Sequence, residues 1–203
     1  ATAGELSTLA GRKAVSLRPS SGILDDPVVG ETASSLYADA RKMLESIVTE
    51  GWLSARAVFG LFPAASRGDD VLLYADEDRG EPLETLLFLR QQRAKAAGKA
   101  HQCLADFIAP EDTGPPDHVG LFAVTAGLGI ESKLEEFERA HDDYRSILLK
   151  ALADRLAEAF AERLHQLVRT EYWGYAPGES LSSDELIRES YRGIRPAPGY
   201  PAC

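Results

Sequence analysis

From Ile130 to Trp173 the chain carries neither glycine nor proline, and Leu134, Phe137, His141, Tyr144, Leu148, Leu152, Leu156, Phe160, Leu164 and Leu167 recur at three- and four-residue intervals. That spacing places them on one stripe of a helix. Helices of globular domains usually run for roughly 8–20 residues, so this one either crosses a whole domain or is broken in two. A chain built around such an element needs other elements that are short, and the remaining sequence reads that way.

Leu36, Ala40, Met43, Leu44 and Ile47 form a second amphipathic pattern, predicting a helix from Gly30 that Gly51 ends. Ala55–Pro63 and Val71–Ala75 are apolar runs flanking the polar Ser66-Arg67-Gly68-Asp69-Asp70, the signature of two strands joined by a turn. Leu83–Lys95 is predicted as strand, then helix. Cys103–Ile108 and Val119–Thr125 are predicted as further strands, separated by a proline-rich loop at 110–116. Trp173–Gly178 makes an aromatic turn, and Ser182-Ser183 caps a last helix over Asp184–Tyr191. Residues 1–27 read as an irregular lead-in and 28–203 as a single domain. Strands grouped between helices predict an α+β fold, a mostly antiparallel sheet flanked by helices including one long helix.

The chain has 203 residues and a formal net charge of -10, which argues against nucleic acid as a partner, since phosphate binding draws on clustered Lys and Arg. Two cysteines without C-x-x-C spacing, Cys103 and Cys203, point to a reducing compartment and to no metal. No apolar stretch approaches the ~20 residues of a membrane span, and the N-terminus lacks a signal-peptide pattern, so the expected location is the cytoplasm, with no membrane partner. Glycine patterns that cradle nucleotide phosphates are missing. His141 is read as a core-edge histidine, and Asp142-Asp143 as a solvated face. Asp154, Glu158 and Glu162 lie one helical turn apart on the face opposite the leucine stripe.

The segment with the sharpest chemistry is Arg195-Pro-Ala-Pro-Gly-Tyr-Pro-Ala-Cys203. Its prolines at 196, 198 and 201 fix φ and remove donors, which excludes helix and interior strand. Arg195 offers a planar, permanently charged fork for a carboxylate or phosphate, Tyr200 a ring for stacking, and Gly199 a backbone that another molecule can approach. From these residues alone a surface linker that caps the preceding helix is the favoured reading. Glu189, six residues before Arg195, reads first as a surface glutamate; turned toward whatever Arg195 holds, it would suit a zwitterionic or cationic ligand.

Val58-Phe-Gly-Leu-Phe-Pro-Ala64, Leu89-Arg-Gln-Gln92, Cys103-Leu-Ala-Asp-Phe107, Phe122-Ala-Val-Thr125, His141-Asp-Asp-Tyr144, Lys150–Glu162, Tyr172-Trp-Gly-Tyr-Ala-Pro177 and Tyr191–Cys203, taken in order, resemble the C-terminal activation domain of cobalamin-dependent methionine synthase. The resemblance covers residues 25 to 203. It implies a module that binds S-adenosylmethionine and lies against the cobalamin domain while inactive cob(II)alamin is returned to methylcobalamin, with electrons from flavodoxin or a flavoprotein reductase. In the family an R-x-x-x-G-Y motif marks the S-adenosylmethionine site, here Arg195, Gly199 and Tyr200, with backbone around Ala197 beside it. The resemblance also assigns Glu158 and Glu189 to that site. It implies no catalytic side chain, and cobalamin only through the partner domain, because D-x-H-x-x-G does not occur in this sequence. The family continues some eighty residues past the position of Cys203, so a C-terminally truncated activation domain is expected. The alternatives are a non-enzymatic docking module that keeps the partner surface without the ligand, and a stand-alone protein acting in trans on a separate cobalamin domain.

Overall fold

The computed structural model describes residues 4–7, 22–112 and 114–197. They form an α+β arrangement of β1 (Gly4–Ser7), α1 (Gly30–Glu50), β2 (Ser54–Arg67), β3 (Asp70–Leu73), β4 (Glu84–Leu86), β5 (Asp117–Leu128), α2 (Ile130–Arg139), α3 (Asp143–Leu167) and α4 (Ser183–Ile187). The strands lie in one sheet in the order β1-β2-β3-β4, with β5 also paired to β2. Two compact units are distinguished: a sheet unit of Phe59–Phe122 with the segment from Leu167 on, and a helix unit of Glu5–Val58 with Ala123–Gln166.

The helix unit is built on the two apolar stripes. Met43 and Ile47 of α1 pack with Phe137 of α2 and Leu148, Leu149 and Leu152 of α3, and Trp52, Leu134 and Leu156 close the edges. Burying each such side chain contributes roughly 1.5–3 kcal/mol. Gly51, at φ 67, ends α1 as its spacing predicts. The long pattern is broken, and hydrogen bonds show why. Asp142 N–H bonds to Phe137 O and His141 N–H to Glu138 O, the paired closure of a helix C-terminus, with His141 left-handed at φ 54. Asp142 then starts α3 by accepting from Arg145 N–H at 2.9 Å. His141 is therefore an exposed junction residue rather than a core-edge one, and Asp142 a helix cap rather than part of a solvated helix face.

In the sheet unit, β2 and β3 pair antiparallel with Ala64 opposite Leu73 and Arg67 opposite Asp70, so the turn is only Gly68-Asp69, with Gly68 at φ 64. β4 pairs antiparallel with β3, Val71 opposite Leu86. Period-two burial puts Ala64, Val71 and Leu73 on one face with Cys103 and Ala105, and Ala65, Leu72 and Tyr74 on the other.

Four further expectations are corrected. Cys103–Ile108 is not a strand: Leu104–Phe107 is a single 3-10 turn, because Asp106 accepts from Cys103 N–H at 2.9 Å and takes both Nη atoms of Arg90 at 2.9 and 2.8 Å. Arg90 also donates to His101 O and Asp69, and these bonds hold the segment after β4 in an irregular path where a helix is predicted. β1 lies within the lead-in read as irregular, and α4 ends at Ile187 rather than Tyr191.

Candidate functional site

The segment carrying Arg195 is positioned by the turn at the end of α3. There the backbone widens into a π turn, Val168–Tyr172, with Trp173 N–H on Val168 O at 2.9 Å. Gly174, at φ 72, turns the chain back, and Ala176 N–H bonds to Arg169 O at 2.9 Å. This fold-back brings Glu179 onto Arg169. Arg169 Nε donates to Glu179 Oε2 at 2.8 Å and Nη2 to Oε1 at 2.7 Å, with side-chain exposures of 0% and 6%. A charge so deeply buried is stable only when matched in this way. The turn is a packed aromatic corner: Trp173 meets Tyr175 edge-on at 5.3 Å and His118 at 6.0 Å, while Phe59 and Tyr172 pack at 4.9 Å.

α4 opens with a reciprocal cap, Ser182 N–H on Glu185 Oε2 at 2.8 Å and Glu185 N–H on Ser182 Oγ at 3.3 Å. It closes as α2 does: Ser190 N–H bonds to Glu185 O and Glu189 N–H to Leu186 O, with Glu189 left-handed at φ 53. The chain next lays the Tyr191 ring on the buried guanidinium, Arg169 Cζ lying 4.2 Å from the ring centroid. Tyr175 OH donates to Arg192 O at 3.2 Å. Burial pushes the Tyr175 phenol above its ordinary value, so it remains a donor. Gly193 runs at φ 94, where a Cβ would lie 3.2 Å from the Tyr175 hydroxyl.

Arg195 comes two residues later, half-buried with its Nε screened from solvent. With Arg188 and Arg192 it makes this segment locally basic in a chain of net charge -10. Of the other residues the sequence nominates, Ala197 and Glu189 are exposed in the same unit, and Gly199 and Tyr200 lie outside the described residues. Glu158 belongs to the helix unit, exposed on α3, where it accepts from Arg155 Nη1 at 2.8 Å. Two open clefts of the sheet unit, about 650 Å³ around Arg67 and Glu111 and about 390 Å³ around His118 and Trp173, are lined by other residues than Arg195. Sequence reasoning missed Arg169, Glu179 and Tyr191 as a group. Arg169 interrupts the apolar pattern at the end of the long stripe, and that interruption is the signal that could have found it.

These features define an α+β module that presents an arginine on an anchored, proline-rich segment. A family model described as vitamin B12 dependent methionine synthase, activation domain, matches residues 12–203, and the chain belongs to that family. It is similar to a solved structure described as the crystal structure of the MetH reactivation domain bound to AdoHcy, at 47% identity and a TM-score of 0.87. That match covers 100% of this chain and 66% of the other, so the chain spans just under two thirds of its relative's length.

Proposed function

We propose that this chain is the reactivation module of a cobalamin-dependent methionine synthase, a methyltransferase, and that it binds S-adenosylmethionine through the Arg195 segment. The observation that carries this is the likeness, over the whole chain, to a reactivation domain bound to AdoHcy. Bound S-adenosylmethionine supplies an electrophilic methyl group on a sulfonium. The chain's own contribution is to bind and orient it.

Arg195 pairs with the methionyl carboxylate through its fork, and the chain around Ala197, Gly199 and Tyr200 takes adenine and ribose. The ligand's sulfonium and ammonium are positive, which suits a carboxylate nearby. Glu189 supports such a role: it stands left-handed at φ 53, a conformation that favours glycine by about 1–2 kcal/mol, yet the position carries a carboxylate. Glu158 is proposed as a second acidic contact and is tested separately. Neither has to move a proton. The proposed partners are the cobalamin-binding domain and, as electron donor, flavodoxin or a flavoprotein reductase, in the cytoplasm. No described helix is long and apolar enough to cross a membrane.

Calorimetric titration of S-adenosylmethionine into the chain and into Arg195→Ala tests the reading. The parent is expected to saturate, and the variant to bind about 10–100-fold more weakly, the worth of a lost hydrogen bond to a charged group. A parent without saturable binding overturns it and leaves the docking-module alternative.

A further inference from the structure

We infer that Arg169 and Tyr191 are positioning residues for Arg195: the buried guanidinium, held by Glu179, is the platform that sets where the Arg195 fork lies and hence how well it grips the carboxylate of an S-adenosyl ligand. This deepens the ligand reading above and rests on it.

Burial limits what Arg169 can do. It has no solvent-exposed side-chain surface, so it cannot touch a ligand and acts only through the groups it holds. Two of these groups bear on Arg195. One is Glu179, through two hydrogen bonds; the other is the Tyr191 ring, 4.2 Å away and itself 9% exposed. Tyr191 is four residues before Arg195, and the residues between them, Arg192, Gly193 and Ile194, are exposed. A segment exposed to that degree keeps one path only if its ends are fixed. Tyr191 fixes one end. Tyr175 OH on Arg192 O adds a second tie, and Gly193 passes so near that hydroxyl that a side chain would crowd it. Pro196 then restricts Arg195 itself to extended backbone. The buried pair, the stacked ring and the hydroxyl tie thus belong to one unit and converge on one arginine.

Loosening the platform lets Arg195 sample other positions, and apparent affinity falls with the fraction that remains competent. General destabilisation does the same, so affinity alone is not diagnostic. The useful readout is the ratio of affinities for S-adenosylhomocysteine and for its carboxyl methyl ester, which lacks the charge that Arg195 meets. Loss of folded protein lowers both affinities alike and leaves the ratio unchanged.

By calorimetry on the full chain, the parent is expected to favour the acid. Tyr191→Leu is expected to lower the acid-to-ester ratio about tenfold, and Tyr191→Phe, which keeps the ring on the guanidinium, to lower it less. Should Tyr191→Leu fail to fold, Tyr175→Phe removes only the hydroxyl tie, with an expected drop of about threefold. An unchanged ratio in the folded variant overturns the inference and leaves the ligand reading standing. A parent that binds neither compound, or both alike, overturns the carboxylate reading and this inference together.

Discussion

Replacing Glu179 by Gln removes one charge from a pair that has no water to fall back on. Arg169 and Glu179 have side-chain exposures of 0% and 6% and share hydrogen bonds of 2.8 and 2.7 Å. The amide keeps the shape and one acceptor, but the guanidinium stays buried and loses the carboxylate charge that faces it. Breaking a buried pair from one side costs about 3–5 kcal/mol. The same unit contains a control of like geometry, Arg67 with Glu111, whose hydrogen bonds are 2.8 and 2.6 Å but whose side chains are 61% and 39% exposed. There Glu111→Gln is expected to cost less than about 1 kcal/mol, because water solvates whatever charge is left over. Burial is the main difference between the two substitutions; Glu111 also accepts from Tyr74 OH at 3.2 Å and Arg169 also lies against the Tyr191 ring, so the pairs are compared through double-mutant cycles.

The assay uses the two tryptophans, Trp173 in the sheet unit and Trp52 in the helix unit. In a Trp52→Phe background, urea unfolding followed by fluorescence reports the unit that contains both ion pairs. Double-mutant cycles with Arg169→Met and Arg67→Met then give the two coupling energies. A loss for Glu179→Gln within about 1 kcal/mol of that for Glu111→Gln refutes the reasoning, because it requires Arg169 to be solvated despite its place in the fold.

Two further outcomes are expected. His141→Gly and Glu189→Gly each relieve a left-handed residue at a helix C-terminus and are expected to stabilise by roughly 1 kcal/mol, raising Tm by about 2–4 °C; a calorimetric scan checks both, and Glu189→Gly is expected also to weaken S-adenosylmethionine binding. Asp106 is lowered from the ordinary 3.8 to about 2, chiefly by Arg90 and then by Cys103 N–H. A carboxyl depressed in the folded state stabilises fully above its unfolded pKa, and that contribution is lost as pH falls through the folded value, so stability is expected to decline from about pH 4 toward about pH 2. Asp106→Asn is expected to flatten that decline, and an equally steep acid limb in the variant counts against the pairing.

The elements legible in the sequence are those whose signal is local. Periodicity finds α1 and the stripe of α2 and α3, and Gly51 and Gly68 mark an end and a turn because each needs a positive φ. Cys103–Ile108 misleads because its β-forming composition yields to Asp106, whose partner Arg90 lies 16 residues away toward the N-terminus. The break between α2 and α3 has no glycine to announce it, since His141 takes the left-handed position where glycine is usual. The same substitution hides the early end of α4 at Glu189.

For the candidate site the division is similar. Arg195 and its prolines are recognisable as chemistry, because a guanidinium fork and fixed φ angles are properties of the residues themselves. Sequence alone therefore determined the α+β class and the helical stripes, and nominated the segment proposed to meet a carboxylate. Only the tertiary structure decided that Arg169 is buried, that Glu179 faces it and that Tyr191 lies on it, because a buried charge is defined by partners 10 residues or more away, and no local pattern encodes their meeting.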